Sequence, residues 1–145
     1  MNSISACERR NKFGRGKELQ ILLAEDNAVN QLLTTRLLEK RGHQVVVANN
    51  GREAIAALTQ QQFDLVLMDI QMPEMDGYEA TAQIRKLERT AGLHTPIVAV
   101  TANALKGERE RCLAAGMDGY VPKPIHTTEL FRVIAEVAPL LNCLN

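Results

Sequence analysis

The chain has no tryptophan, only two tyrosines and three phenylalanines in 145 residues, so it lacks the aromatic platform on which single-stranded nucleic acid stacks. An excess of either charge is missing too. The 17 basic and 17 acidic side chains cancel, which removes the basic footprint of a nucleic-acid binder. Cysteine is scarce, and Cys7, Cys112 and Cys143 are odd in number and far apart, giving neither a disulfide framework nor a zinc-ligand spacing. Reduced thiols are the expectation. No apolar run approaches the roughly 18 residues a membrane helix needs, and no apolar core follows the basic N-terminal residues as a signal peptide would require. What is present, 46% hydrophobic and 23% charged residues, is the composition of one ordinary globular domain. A cytoplasmic location is expected, with no direct nucleic-acid or membrane contact by this segment.

Residues 1–18 carry Arg9, Arg10, Lys12, Arg15 and Lys17 without periodicity and read as a flexible lead-in. From Leu19 onward one pattern repeats: a short apolar run, a turn, then a helix-length amphipathic stretch. The runs are Leu19–Ala24, Gln44–Ala48, Asp64–Met68, Pro96–Val100 and Asp118–Pro122, each the length of a strand. Between and after them Ala28–Arg41, Gly51–Gln60, Asp76–Thr90, Leu105–Ala115 and Thr127–Leu140 read as helices. Val29, Leu32, Leu33 and Leu37 form one stripe on the first, and Leu130, Val133, Ile134 and Val137 one on the last. Gly42, Gly92 and Gly116 stand where helix-ending glycines belong. Alternation of this kind predicts an α/β doubly wound domain, a five-stranded parallel sheet covered on both faces, with strands buried on both sides. The domain is expected over residues 19–141, followed by a tail at 142–145.

In a wholly parallel sheet the residues at the strand ends share one edge, and ligands bind there at the switch point. The first strand ends at Glu25 and Asp26, the third at Asp69, the fourth at Thr101 and the fifth at Lys123. With right-handed crossovers the preferred order is 2-1-3-4-5, and the acids then flank the crevice between strands one and three. Three carboxylates so close repel one another unless a cation joins them. The donors are hard oxygens with no histidine or cysteine beside them, which suits Mg²⁺, or Mn²⁺, better than zinc or copper. Asp69 is then a candidate nucleophile toward phosphorus, with Thr101 and Lys123 placed to hold phosphoryl oxygens. Singly, each of these residues is as well explained as a helix cap, a turn former or a solvated charge; their conjunction carries the reading.

The segments LLAEDN, LVLMDIQMPEMDGYE, PIVAVTAN and YVPKP closely resemble the receiver domain of two-component response regulators over about Leu19 to Leu141. The finer wording is most similar to receivers attached to hybrid sensor histidine kinases. The flavodoxin-like strand order given above is that family's own, so the resemblance and the topology are not independent. The resemblance implies that Asp69 accepts a phosphoryl group from a phosphohistidine. It implies that Asp26, Asp69 and the backbone carbonyl of Gln71 bind Mg²⁺, with Glu25 acting through a water. Thr101, Lys123 and the amide of Ala102 would contact the phosphoryl oxygens, Pro124 would follow a cis peptide bond, and Tyr120 would be an aromatic switch answering to Thr101. Gln71 and Asn103 would border the approach of the dephosphorylating water. Glu25 stands where the family frequently has aspartate.

The implied partner is a histidine kinase or a histidine phosphotransfer domain, and the implied output surface is helix four, strand five and helix five. The domain itself would catalyse only its own phosphorylation and dephosphorylation. The sequence stops at Asn145, directly after the last helix, where no room for a DNA-binding output domain is expected. The hybrid-kinase wording of the motifs and the ragged lead-in favour a piece of a hybrid kinase, with a stand-alone regulator acting by protein binding as the alternative. An Asp-nucleophile phosphatase is a further alternative, disfavoured because the position two residues after Asp69 is Gln71 rather than a second aspartate. A receiver-like module used only for interaction is disfavoured by the complete acid, threonine and lysine set.

Overall fold

A computed structural model of the chain describes residues 18–102 and 107–137. Within them the strands are β1 (Gln20–Ala24), β2 (Gln44–Ala48), β3 (Leu65–Asp69), β4 (Ile97–Thr101) and β5 (Gly119–Pro122). The helices are α1 (Ala28–Lys40), α2 (Gly51–Gln60), α3 (Gly77–Ala91), α4 (Glu108–Ala114) and α5 (Thr127–Val137). All strand pairings are parallel and the order is β2-β1-β3-β4-β5. Most of the expected lead-in, the expected tail, Asn103, Cys7 and Cys143 lie outside the described residues.

Successive strand residues point to opposite faces, and the core is accordingly double. Leu22, Ala24, Val66, Met68 and Ala99 pack with Ala54 of α2, Ala80 and Ile84 of α3, and Cys112 of α4. Ile21, Leu23, Leu65, Leu67 and Val98 pack with Leu38 of α1 and with Leu130, Val133, Ile134 and Val137 of α5. Each fully buried aliphatic side chain contributes about 1.5–3 kcal/mol, so the three central strands are the most strongly held part of the sheet. Asp76 caps α3 through a reciprocal capping box with Glu79, and Gly92 ends that helix in the left-handed region at φ 69°, as its place in the sequence predicts.

Three expectations need correction. The stripe of α1 does not face the core: Val29, Leu32 and Leu33 are 64%, 50% and 55% exposed, Leu37 is half-buried, and the helix buries Thr34 and Leu38 instead. Periodicity finds a stripe without saying which way it turns, and here the helix is rotated so that the stripe meets solvent. β2 is not doubly buried either, because it is an edge strand; Val46 and Val47 are 39% and 37% exposed. Finally, the fourth helix begins at Glu108 among the described residues, and its expected start at Leu105 lies outside them. Gly107 stands before Glu108 at φ 93°, in the left-handed region that an α-helix cannot include.

Candidate functional site

Strand register brings the expected residues to one edge. Ala24 lies opposite Met68, Asp69 opposite Val100 and Thr101 opposite Pro122, so Glu25, Asp69, Thr101 and Lys123 emerge side by side. Asp69 and Thr101 are the last residues of their strands rather than the first beyond them, because pairing continues through Asp69 to its neighbour. Lys123 is held by its own amide, which donates to the Thr101 carbonyl at 2.8 Å, and is joined to Pro124 by a cis peptide bond as expected. Beneath the edge, α3 docks unusually closely: a Cβ on Gly77 would lie 2.5 Å from the Asp69 carbonyl oxygen. Only glycine lets the first turn of α3 sit against the acceptor strand there, where the Gly77 amide donates to the Ile70 carbonyl at 2.8 Å.

The carboxylates of Glu25, Asp26 and Asp69 offer oxygens that all lie within 4.8 Å of one another. Glu25 and Asp69 are buried, and Asp26 is exposed at the rim. The Lys123 ammonium reaches both buried acids, 3.0 Å from Asp69 Oδ2 and 3.2 Å from Glu25 Oε1. Backbone amides complete the set: Asn27 donates to Glu25 Oε2 at 3.1 Å and Gln71 to Asp69 Oδ1 at 3.1 Å. Burial, together with the negative charge of Asp69, raises the Glu25 carboxyl above its ordinary range, even though the Asn27 amide and Lys123 pull the other way. For Lys123, burial alone would lower the ammonium, but the hydrogen bond and charge of Asp69 and the charge of Glu25 prevail and raise it. The lysine therefore stays charged at neutral pH.

Three acids against one ammonium leave the pocket short of positive charge, and all its donors are carboxylate oxygens. That is the donor chemistry a small hard divalent cation requires, so the residues present fit a metal such as magnesium. Thr101 is buried at the end of β4, Ala102 is exposed beside it, and Tyr120 is partly buried against the core, where burial raises its phenol.

The Response regulator receiver domain family model matches residues 21–135. The chain belongs to that family. A receiver domain of the sensor histidine kinase PA1611 from Pseudomonas aeruginosa PAO1, solved with a magnesium ion coordinated in its active-site cleft, superimposes at TM-score 0.74 with 42% identity over 82% of this chain and 96% of that one. The receiver domain of Saccharomyces cerevisiae Ssk1, co-crystallised with the histidine phosphotransfer protein Ypd1, matches at TM-score 0.77 and 28% identity, over 86% of this chain and 92% of that one. Among curated proteins, "Hybrid signal transduction histidine kinase I" of Dictyostelium discoideum is 45% identical over 120 residues, 79% of this chain. Sensor protein GacS of Pseudomonas syringae pv. syringae is 45% identical over 116 residues, again 79% of this chain. This receiver spans only 7% and 13% of those two proteins.

Sequence reasoning missed part of the pocket wall. A cavity of about 490 Å³ beside the acids is lined by Asp26, Gln71 and Thr101, which were expected, and by Tyr78, Glu108 and Arg111, which were not. The Tyr78 phenol donates to Glu108 Oε2 at 2.6 Å, and the Arg111 guanidinium lies over the Tyr78 ring. Burial and the Glu108 hydrogen bond raise the Tyr78 phenol well above its ordinary value. The one available signal was Tyr78 in the first turn of a helix that follows Asp69 by a short loop. Glu108 and Arg111 were hidden because the phase of α4 depends on where Gly107 starts it.

Proposed function

We propose that this receiver domain, taken as residues 19–141, accepts a phosphoryl group on Asp69 from a phosphohistidine with Mg²⁺ (or Mn²⁺) as its ion. The single observation that carries the reading is the meeting of the Glu25, Asp26 and Asp69 carboxylates within 4.8 Å, under the Lys123 ammonium. Asp69 attacks phosphorus; a new P–O bond forms, the P–N bond breaks, and its electron pair stays on the imidazole nitrogen. Asp26, Asp69 and the Gln71 carbonyl would hold the ion, with Glu25 acting through a water. Bound there, the ion would neutralise charge spread over the phosphoryl oxygens during transfer. Lys123 and the Thr101 hydroxyl hold those oxygens from the protein side, with the Ala102 amide beside them. Thr101 drawn toward the phosphoryl group frees space that Tyr120 fills, which biases the surface formed by α4, β5 and α5.

The partner is a histidine kinase or a histidine phosphotransfer domain. The outward apolar stripe of α1, Val29, Leu32 and Leu33, supports docking there: it follows directly on the acid pair Glu25 and Asp26. A partner helix seated on it would sit beside the acceptor. Similarity to hybrid histidine kinases supports a parent chain of that class, in which this segment receives or passes on the phosphoryl group. It supports a cytoplasmic location for the segment as well; among the described residues no helix is long and apolar enough to cross a membrane.

Incubation with Mg²⁺ and acetyl phosphate, read by intact mass, is expected to add one phosphoryl group to the wild type and none to Asp69→Asn. No gain, or a gain that survives in Asp69→Asn, refutes the assignment. Phosphotransfer profiling against purified phosphohistidine donors then identifies the fast partner.

A further inference from the structure

The cavity beside the acids, about 490 Å³, extends past the carboxylate cluster to a wall that phosphoryl chemistry does not use. Tyr78 is fixed there by the close seat of Gly77 on the acceptor strand and by its hydrogen bond to the buried Glu108. On the Tyr78 ring rests the Arg111 guanidinium, 4.7 Å from the centroid. Its ion pair with Glu108 Oε1 is long at 3.9 Å, and its side chain is 67% exposed. Among the described residues it is the only cation in the lining of this cavity. An aromatic shelf restricts the guanidinium while leaving its fork free to bind.

Asp69 is buried, at 3% exposure, so a phosphodonor must approach from the solvent side. In-line displacement sends the leaving group away from the nucleophile, outward to the rim. With an acyl phosphate, an Asp69 oxygen bonds to phosphorus, the bond from phosphorus to the acyl oxygen breaks, and the electron pair departs with a carboxylate. No proton is needed. A guanidinium is the side chain best matched to a carboxylate, through paired charge-assisted hydrogen bonds. A donor with a P–N bond instead releases a neutral amine or imidazole, whose nitrogen keeps the electron pair and carries no negative charge, which offers Arg111 nothing.

We propose that Arg111, shelved on Tyr78, is a donor-binding residue that receives the departing carboxylate of an acyl phosphate. The inference rests on the phosphoryl-accepting reading and adds to it a preference among donor classes set by the leaving group. The test compares wild type, Arg111→Ala and Arg111→Lys, at fixed Mg²⁺, for phosphorylation by acetyl phosphate and by phosphoramidate, followed by intact mass. In Arg111→Ala the apparent second-order rate constant with acetyl phosphate is expected to fall about three- to fivefold, the size of one exposed charge contact. With phosphoramidate it is expected to change less than about twofold, and Arg111→Lys falls between wild type and Arg111→Ala with acetyl phosphate. Equal loss with both donors, or loss with neither, overturns the inference and leaves Asp69 as acceptor. Wild type that takes no phosphoryl group from either donor overturns both.

Discussion

At the edge where the strands begin, Arg85 of α3 donates to Asp118 at 2.8 Å, to Glu88, and to the carbonyls of Thr95 and Gly116, each at 2.8 Å. The remaining acceptors there are taken: the Thr95 amide donates to Glu88, the Ile97 amide to Asp118, and His94 Nε2 lies 2.8 Å from Asp118 Oδ1. At the opposite edge, where the strands end, three carboxylates share one ammonium. Both clusters are largely buried and both bring together groups distant in sequence. The first sets two carboxylates against one guanidinium, with the acceptors saturated in hydrogen bonds, which is how a structural network looks. The second holds surplus negative charge that a cation or a phosphoryl exchange can use. Saturation of the acceptors, more than burial, separates the two.

The largest expected effect would break the saturated cluster. Arg85→Ala leaves Glu88 and Asp118 without their shared cation, and losing one partner of a buried pair costs about 3 kcal/mol, roughly 10 °C in melting temperature for a domain of this size. A scan showing less than about 3 °C of loss would mean that backbone donors and His94 hold the acids unaided. The cluster at the acceptor edge should respond with the opposite sign. In chelator, Asp69→Asn removes one of three repelling charges and keeps an acceptor for Lys123, so its melting temperature should rise by about 3 °C. Adding Mg²⁺ should stabilise the wild type by about 1.4 kcal/mol at ten times the dissociation constant, with most of that gain absent in Asp69→Asn. A mutant that melts lower in chelator would contradict the repulsion.

The smallest effect sharpens the contrast at the edge where the strands begin. His43 Nδ1 accepts the Leu19 amide at 3.0 Å, so the neutral ring carries its proton on Nε2. Burial, then the nearby charge of Arg41, lowers its pKa below the ordinary value, against the opposing pull of Glu18 and Asp64. A folded-state value below the unfolded one means that the stabilisation is complete above the unfolded pKa. It is lost as pH falls toward the folded pKa, when the ring must charge and surrender its acceptor. Denaturation midpoints should therefore decline from pH 7 toward pH 5 by an amount worth less than about 1 kcal/mol, and His43→Asn should flatten that decline. An unchanged slope in the variant would assign the decline to other groups.

Local pattern in the sequence was enough for the alternation of strands and helices, for the acids, threonine and lysine at successive strand ends, and for the family they match. A parallel sheet sends every strand end to one edge, so position along the chain translates directly into position in space. Orientation was not legible in the same way. The α1 stripe of Val29, Leu32 and Leu33 has the same periodicity whether it faces the core or solvent, and only the burial of Thr34 and Leu38 instead decides between them. The exposure of β2 follows from its place at the sheet edge, which no residue of the strand encodes. Likewise the contacts of Arg85 with Asp118 and of Tyr78 with Glu108 join residues about thirty positions apart in side-chain geometries set by helix phase. Chain pattern thus determined which groups gather at the acceptor edge; tertiary packing decided which faces stay open and which cations remain available there, because those depend on rotation about helix axes that a one-dimensional repeat does not specify.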